Sequence, residues 1–564
     1  MKKTRRFLIG FFLAVSVFVS HIGATDFVYA ATGVPSAYMN SLAQLNEKYP
    51  APRDQGAYNT CWACSAIGLA EFDLIADNKT ADTSIDLSEL QLAYFTYHNA
   101  EDAFEGTFQD KLQVSGNYLL AGGNLNYCSR TLLQWEGVIP ESVLPYSSAT
   151  TVGTLGTDYA FGMNVAHLQN VYIINLHKNP SAVKREIMKH GAAGISLYLD
   201  ETPVFDGNAV YEATGETVKT YCCPYSGGKY VANHAVNIVG WDDNFPASAF
   251  AKKPSGNGAW LVRNSWSNAA QNDITSYFWL SYYDAALDDE AWIFDFESAD
   301  NYDFNYQYDG CACVYKALKT PTCANVFQVK GATNELLKAV SITLNEDTNV
   351  PYTIKVYTNL TNPAKPRSGI LAAKVTGKTS YAGTYTVPLK KAISMPKGTY
   401  YSIVVELGKK TAGIDVEYAM RQSGVTAQAY ADFNQSFLYN QGAWQDIADI
   451  SDYYGIGNLC IKGYTTKTGS SIAKTEKLKT VNVTRTGVKL SWSKTKGATG
   501  YEVYRATSKN GTYTKVASVS KTGYTDTKRK SGTTYYYKVR AYKKSGKTTV
   551  YGKLSTAVKV TTKR

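Results

Sequence analysis

The chain is poor in the residues that most often carry chemistry. Its 564 residues include only nine cysteines and six histidines. Nine cysteines are few for a chain of this size, and the odd number leaves at least one without an intramolecular partner if all the others pair. Such a cysteine is a candidate reactive thiol, although a free cysteine also packs well as a small buried hydrophobe.

Long apolar runs are absent beyond the N-terminus, so no later segment is predicted to span a membrane. The N-terminus itself has four basic residues between Lys2 and Arg6, an apolar run from Phe7 to Val19, and small residues near Ala30. This pattern predicts a secretory signal peptide over residues 1–30, cleaved after Ala30 or Ala31. The alternative, a membrane anchor, needs about 20 apolar residues, and this run is shorter. We therefore expect a secreted protein, at the cell surface or associated with the cell wall.

Charge is spread unevenly along the chain. The net charge is +11, from 58 basic and 47 acidic residues. Residues 474–564 hold 23 Lys and Arg against 3 Asp and Glu, or +20, which leaves 35 basic and 44 acidic residues elsewhere, or −9. The basic character therefore belongs to one terminal module.

The length predicts several domains, since single cores stop growing at about 250–300 residues. Helix-like and strand-like stretches alternate over residues 31–300, and strand follows strand over 301–465, as in a β-sandwich. A polar linker (466–476) leads to a last module (477–562), where Trp492 and Tyr535 to Tyr537 resemble core positions of a fibronectin type III domain. The predicted fold class is α+β, followed by two β-sandwiches.

Cys61 is predicted to lie at the start of a helix. The segment CWACSAIGLAEFDLIADN has apolar residues at helical spacing, namely Ala63, Ala66, Ile67, Ala70, Leu74 and Ile75. The partial positive charge of a helix N-terminus favours an anion and can lower a thiol pKa well below about 8.5. Cys61 is therefore placed as a nucleophile.

His234 is the histidine with the most suitable context for a general base. It lies in NHAVNIVGW, and a similar apolar run, GAWLVRNSW, follows; both are predicted to be buried strands. A lone histidine in such a run is more often structural than catalytic. The other segments of the chain change this interpretation.

Several of these segments together resemble the papain family of cysteine peptidases. DQGAYNTCWACSA resembles the nucleophile segment, NHAVNIVGW the histidine segment and WLVRNSW the asparagine segment, in the family's order. AGGNLNYC resembles the glycine pair that lines the substrate cleft, and DLSELQLAYF the helix after the nucleophile helix. The resemblance covers about residues 34–285, and it implies a two-lobed fold that hydrolyses peptide bonds in proteins or peptides.

The resemblance also implies a role for each matching residue. Cys61 would be the nucleophile and His234 the general base and acid, with Asn264 fixing the imidazole tautomer. Gln55 and the Cys61 backbone N–H would bind the oxyanion. The residues expected beside the substrate are Gly122, Gly123, Asn233 and Trp266, the last also covering the His–Asn pair. No metal site and no cofactor are predicted.

Three departures from the family pattern stand out. A disulfide common in the family would join positions occupied here by Tyr58 and Leu120, so that bridge is absent. Residue 64, commonly aromatic, is Cys64. Only about 24 residues lie between the expected signal cleavage site and Gln55, so the sequence does not predict control by a long propeptide.

The two accessory modules give further expectations. NYQYDG, YAGTYTVPL and NLCIKGYT resemble the lectin-like domain that follows papain-type domains in some Gram-positive surface enzymes, with two internal disulfides expected among Cys311, Cys313, Cys323 and Cys460. Sugar binding does not follow from this resemblance. The +20 module predicts adhesion to anionic cell-wall polymers, or alternatively a charged soluble stalk; nucleic acid is not the expected partner.

Other functions stay open at the level of the sequence. Cys61 and Cys64 form a C-x-x-C motif at a helix start, as in disulfide oxidoreductases, and the two thiols could instead bridge reversibly and silence a peptidase. A surface adhesin could use the peptidase fold as a scaffold. A cell-wall amidase with a Cys–His pair is a further alternative, although the NSW segment favours the papain type.

Overall fold

The computed structural model describes most of the chain beyond the predicted signal peptide. The described residues are 33–77, 79–80, 83–199, 207–211, 216–223, 231–266, 276–311, 313–316, 320–422, 424–467, 474–509, 511, 513–545 and 548–564. The predicted signal peptide (1–30) and residues 468–473 of the predicted linker lie outside this range. Among the described residues, no helix combines the length and the apolar character needed to cross a membrane.

The first region combines helices with a large sheet. Its helices are α1 (Leu42–Lys48), α2 (Cys61–Ala76), α3 (Glu89–Tyr97), α4 (Leu125–Leu133) and α5 (Pro180–His190). Its strands are β1 (Ala37–Tyr38), β2 (Lys111–Val114), β3 (Ala166–Asn175), β4 (Ala193–Leu197), β5 (Gly207–Tyr211), β6 (Glu216–Tyr221), β7 (His234–Asp242), β8 (Ala259–Arg263), β9 (Tyr277–Ser281) and β10 (Glu290–Ser298).

Helix α2 is the central helix of this region, and the predicted helix starting at Cys61 is confirmed. The sequence indicated a buried stripe, but the helix is buried on almost every side and packs against α3, α4, α5, β7 and β10. Two of its buried residues are acidic: Glu71 pairs with Arg53, and Asp73 pairs with Lys79 and His190. These ion pairs compensate the charges that burial would otherwise penalise.

The two predicted strands around His234 and Asn264 are also confirmed. They form β7 and β8, which run antiparallel with Asn237 opposite Arg263, and both are fully buried. Their apolar residues alternate between two cores: Val239 and Leu261 pack into the core around α2, while Ile238 and Val262 join residues of β4, β9 and β10 in a second core. The region therefore has a helical lobe and a strand-rich lobe, the α+β papain-like arrangement that the sequence predicts.

The second region is a β-sandwich, as predicted, but it is not separate from the first. Its strands are β11 (Phe304–Tyr306), β12 (Val314–Lys316), β13 (Thr322–Gln328), β14 (Glu335–Leu344), β15 (Pro351–Thr358), β16 (Ile370–Lys378), β17 (Ala382–Met395), β18 (Tyr400–Leu407), β19 (Asp415–Tyr418), β20 (Met420–Gln422), β21 (Val425–Gln428), β22 (Ser436–Asn440), β23 (Ala443–Asp446), β24 (Ile456–Leu459) and β25 (Ile461–Lys467), with one short helix, α6 (Ser451–Tyr454).

One sheet runs through both regions. Its order is β11-β25-β14-β17-β3-β10-β4-β7-β8-β9-β6-β5, because β17 pairs with β3. The second layer of the sandwich is the sheet β16-β15-β18-β13-β22-β23. The expected disulfides are absent, since Cys311, Cys313, Cys323 and Cys460 all carry free thiols.

The last region is a small two-sheet sandwich. Its strands are β26 (Lys479–Val483), β27 (Gly487–Ser491), β28 (Gly500–Ala506), β29 (Thr514–Val519), β30 (Gly523–Thr527), β31 (Thr534–Ser545), β32 (Thr548–Tyr551) and β33 (Val558–Thr561). Three strands form one sheet and five the other. Trp492, Tyr535 and Tyr537 lie in the core between them, as the sequence predicts, while Tyr536 does not.

Candidate active site

Cys61 is the first residue of α2 and lies at the junction of the two lobes. The residue before it, Thr60, does not cap the helix with its side chain, because its hydroxyl is 2.5 Å from the hydroxyl of Tyr146. The N–H groups of Ala63 and Cys64 donate to the Thr60 carbonyl, which leaves those of Cys61 and Trp62 available to an anion. The pKa of the Cys61 thiol is raised overall, which differs from the sequence expectation, because burial outweighs the backbone N–H groups of Ala235, Trp62 and Cys61 itself that lower it.

His234 begins β7, next to the Ala235 amide that contacts the sulfur. Its Nε2 is 2.7 Å from Oδ1 of Asn264, which follows the end of β8. The indole of Trp266 stacks on the imidazole, with ring centroids 4.5 Å apart. Burial lowers the pKa of His234 to about 4, against the hydrogen bond to Asn264, which raises it. The imidazole is thus held in one orientation, with Nδ1 left for proton exchange.

Gln55 is held next to Ser265 by contacts at both ends of its side-chain amide. Its Oε1 accepts a hydrogen bond from the Ser265 hydroxyl (2.6 Å), and its Nε2 donates to the Tyr58 carbonyl (2.7 Å). Its backbone N–H also donates to the Ser265 carbonyl (2.8 Å). An amide nitrogen carries two hydrogens, so Nε2 retains one donor for a ligand.

The glycine pair lies against the residue that follows Cys61. A Cβ atom on Gly123 would lie 2.5 Å from the indole of Trp62, so only glycine fits there. Gly122 has a positive φ of 76°, and its carbonyl accepts a hydrogen bond from the Tyr97 hydroxyl (2.6 Å). The backbone at Gly123 therefore approaches the nucleophile helix closely, and the glycine pair forms a wall beside it.

The side chain of Asn233, a residue expected beside the substrate, is hydrogen-bonded to the backbone of Leu199. Its amide donates to the Leu199 carbonyl (2.9 Å) and accepts from the Leu199 N–H (2.8 Å), while the residue itself is exposed. It therefore fixes the chain just before His234.

Two further contacts at the site were not predicted from the sequence. The Ser65 hydroxyl is 2.5 Å from Oδ1 of Asn237, and the Asn237 amide donates back to the Ser65 carbonyl (3.1 Å), which ties α2 to β7. The second contact is the hydrogen bond from the Ser265 hydroxyl to Oε1 of Gln55. All four residues lie inside the motifs, but their pairing depends on the packing of the two lobes.

Hydrogen bonds replace the disulfide that is missing between positions 58 and 120. Asn59 donates from its backbone to the Leu119 carbonyl (2.8 Å) and from its side chain to the Leu120 carbonyl (2.9 Å). Cys61 and Cys64 both carry free thiols. The two segments that flank the nucleophile are thus joined without a covalent bridge.

One group of side chains outside the candidate active site has ligand types that suit a metal ion. Among the described residues, Asp73, His190 and Asp295 bring three ligand atoms within 4.8 Å of one another. The ammonium group of Lys79 already lies 3.2 Å from Asp73 and 2.7 Å from Asp295. This cluster is therefore a buried ion-pair network that supports α2.

Comparisons with known families match two regions of the chain. Residues 43–285 match the model of the papain family of cysteine proteases, and residues 305–465 match that of the lectin-like domain. The gut-specific cysteine proteinase of Caenorhabditis elegans is 26% identical over 257 residues, which is 43% of this chain and 68% of that protein. Exoglucanase B of Cellulomonas fimi is 28% identical over 238 residues, 39% of this chain but only 21% of its own length.

Two solved structures share the combined fold. The clostridial cysteine protease Cwp84, as a cysteine-to-alanine variant after propeptide cleavage, has a TM-score of 0.61 at 24% identity, covering 77% of this chain and all of that one. The protease and lectin-like domains of Cwp84 from Clostridium difficile have a TM-score of 0.58 at 23% identity, and the match covers 77% of this chain and 89% of that one. The chain therefore carries a domain of the papain family of cysteine peptidases, followed by a lectin-like domain.

Proposed function

We propose that the chain is a secreted endopeptidase in which Cys61, His234, Asn264 and Gln55 form the active site. The observation that carries this proposal is the arrangement around the imidazole: Nε2 is bound to Asn264, and the neighbouring Ala235 N–H faces the Cys61 sulfur. A scaffold without catalysis would need none of these contacts. A disulfide oxidoreductase would need Cys61 and Cys64 but neither His234 nor Asn264.

In the first half-reaction, Nδ1 of His234 takes the proton of the Cys61 thiol as the sulfur attacks the substrate carbonyl. A sulfur–carbon bond forms, and the carbonyl π electrons move onto oxygen. The free Nε2 hydrogen of Gln55 and the Cys61 N–H stabilise this oxyanion. When the carbonyl re-forms, the carbon–nitrogen bond breaks, and His234 gives its proton to the leaving amine.

In the second half-reaction, His234 takes a proton from water, and the resulting hydroxide attacks the acyl-enzyme carbonyl. Collapse of this second tetrahedral intermediate breaks the sulfur–carbon bond and releases the carboxylic acid product. The proton on His234 returns to the Cys61 sulfur, which restores the starting state. Trp266, stacked on the imidazole, excludes water from the His234–Asn264 hydrogen bond and so strengthens it.

Cleavage of a peptide library, with products identified by mass spectrometry, tests this function. The wild-type chain should cleave internal peptide bonds, and Cys61→Ala should cleave none. Cys222→Ala is the matched control, because Cys222 is also half-buried but lies outside the proposed site. If neither the wild type nor Cys61→Ala cleaves while Cys61 is reduced, the adhesin alternative replaces the proposal.

We further propose that the protein acts outside the cell, at or near its surface. The basic and apolar N-terminus supports export, and the similar protein Cwp84 is described as surface-layer associated. Protein recovered from the culture medium should begin at residue 31 or 32 by N-terminal sequencing. Retention in the cell with an intact N-terminus would contradict export.

The terminal module would hold the enzyme to anionic cell-wall polymers. Two of its three acidic residues are already paired inside the module: Glu502 with Lys515 and Arg540, and Asp526 with Arg505 and Arg529. The excess basic residues of the module are therefore available to bind an anionic polymer. The full chain should sediment with cell walls at low salt and be released as ionic strength rises. Binding that does not respond to salt would contradict an electrostatic attachment.

A further inference from the structure

Residues 115–124, called here the cleft segment, lie directly beside the nucleophile helix. The segment carries Gly122 and Gly123, and Gly123 contacts the indole of Trp62 so closely that no Cβ fits. The hydrogen bonds of Asn59 to Leu119 and Leu120 join the same segment to the residues before Cys61. A shift of the cleft segment would therefore change the substrate wall next to Cys61.

The N-terminal end of the cleft segment is held by the lectin-like domain. Strand β2 leads into the segment, and among the described strands it pairs only with β21 of that domain, from Lys111 opposite Gln428 to Val114 opposite Val425. The Ser115 N–H then donates to the Gly424 carbonyl (3.0 Å). The entry to the segment thus depends on main-chain pairing with another domain.

The C-terminal end is held by the same domain through α4, which begins directly after the segment. The guanidinium of Arg130 on α4 is buried and donates to the Thr384 hydroxyl (2.9 Å) and the Thr343 hydroxyl (3.5 Å). These two hydroxyls lie on β17 and β14 and are 3.0 Å apart. The buried Asp415 of the lectin-like domain also lies near Arg130. Burial raises the pKa of the Asp415 carboxyl, and the positive charge of Arg130 lowers it by a smaller amount.

The interface between the two domains is packed like a core. Behind α4, Trp135 stacks between His167 of the peptidase domain and Tyr464 of the lectin-like domain, with centroid distances of 4.2 and 5.5 Å. Tyr302 extends the stack beyond Tyr464 at 5.1 Å. Together with the pairing of β3 and β17, this packing makes the junction rigid.

From these contacts we infer that the lectin-like domain is a positioning element of the peptidase. It holds both ends of the cleft segment, so that the wall formed by Gly122 and Gly123 stays in register with Cys61. The inference rests on the proposed peptidase function. It assigns Thr343 and Thr384 as positioning residues that act through Arg130 and α4, without contact to the substrate.

The test compares full-length variants on one peptide substrate. Thr343→Val/Thr384→Val removes both hydroxyls that bind Arg130 while keeping the side-chain shape. KM should rise about tenfold, because a displaced wall weakens the binding of the substrate and of the transition state alike. Both kcat and the rate of Cys61 alkylation by iodoacetamide should stay within about twofold of wild type, because the Cys61–His234 pair is untouched.

Two controls separate positioning from general loss of stability. Thr343→Ser/Thr384→Ser keeps the hydroxyls and should restore the wild-type KM. Ser436→Ala removes a buried hydroxyl that binds Asn325 inside the lectin-like domain (2.8 Å), and it should lower the Tm with KM unchanged. If the double valine variant does not fold, Thr343→Val alone should still raise KM, because it removes the 3.5 Å contact to Arg130 and the 3.0 Å contact to Thr384.

An unchanged KM in a folded double valine variant, or a rise in KM in Ser436→Ala of the same size, would overturn the inference. Failure of the proposed function would look different, because the wild-type chain itself would then cleave nothing.

Discussion

Oδ1 of Asn264 accepts two hydrogen bonds, one from Nε2 of His234 at 2.7 Å and one from the Ser265 N–H at 2.8 Å. The second bond fixes which end of the amide faces the imidazole. Because Nε2 must carry the hydrogen in this arrangement, Nδ1 is the basic nitrogen of the neutral ring. A single backbone contact thus sets the tautomer that the proposed mechanism requires.

Asn264→Ala should therefore lower kcat by about 10²-fold, the scale of a general base that is no longer held in place. Asn264→Asp keeps an oxygen acceptor toward Nε2 and should retain more activity than the alanine variant. Steady-state kinetics on one peptide substrate measure both. An equal loss of kcat in the two variants would show that activity does not depend on a hydrogen-bond acceptor at position 264.

Gln55→Ala should reduce kcat by about 10²–10³-fold, as expected for the removal of one oxyanion donor, with KM little changed. Ser265→Ala is the matched variant: it removes the hydroxyl that holds Oε1 of Gln55 but keeps the Nε2 donor, so its loss should be smaller. A loss confined to KM in Gln55→Ala would place this residue in substrate binding instead of oxyanion stabilisation.

Gly123→Ala should impair the peptidase, because its Cβ would lie 2.5 Å from the Trp62 indole, and either the wall or the ring must then move. We expect kcat/KM to fall by about tenfold or more. Gly153→Ala is the control, since no atom lies within 4 Å of its added Cβ. Equal activity in Gly123→Ala and wild type would contradict the close approach seen at this wall.

The pH dependence of kcat/KM follows from the burial of His234. The neutral imidazole is the active form, and the pKa of His234 is lowered to about 4, so activity should hold down to about pH 4. Below that, it should fall about tenfold per pH unit as the ring becomes protonated. Trp266→Ala exposes the ring, which should raise the pKa of His234 toward about 6.5 and move the acid limb upward.

Profiles of both proteins between pH 3 and 8, with circular dichroism at each pH to confirm folding, measure this shift. An acid limb that stays in place in Trp266→Ala would mean that another group controls activity at low pH.

The sequence predicts the parts of the molecule that depend on local pattern. The helical spacing after Cys61 predicts α2, and the short apolar runs around His234 and Asn264 predict β7 and β8. The motifs also indicate which side chains meet across the two lobes, since the papain resemblance supplies their order. His234 and Asn264 are in contact as expected.

The remaining features depend on contacts between distant segments, which carry no local signal. The pairing of Thr384 with Val171 joins the two domains in one sheet, although the sequence of each strand would be the same with or without such a partner. The free thiols of Cys311 and Cys313 likewise differ from the expected disulfides, because cysteine spacing alone does not determine oxidation.

Capture of the covalent intermediate is the most direct test of Cys61 as the nucleophile. A peptide ester substrate is mixed with the full-length protein, the reaction is quenched in acid during turnover, and the acylated peptide is located by mass spectrometry. We expect an acyl group on Cys61, present in Cys222→Ala and absent in Cys61→Ala. Turnover with the acyl group on another residue, or turnover by Cys61→Ala, would contradict this expectation.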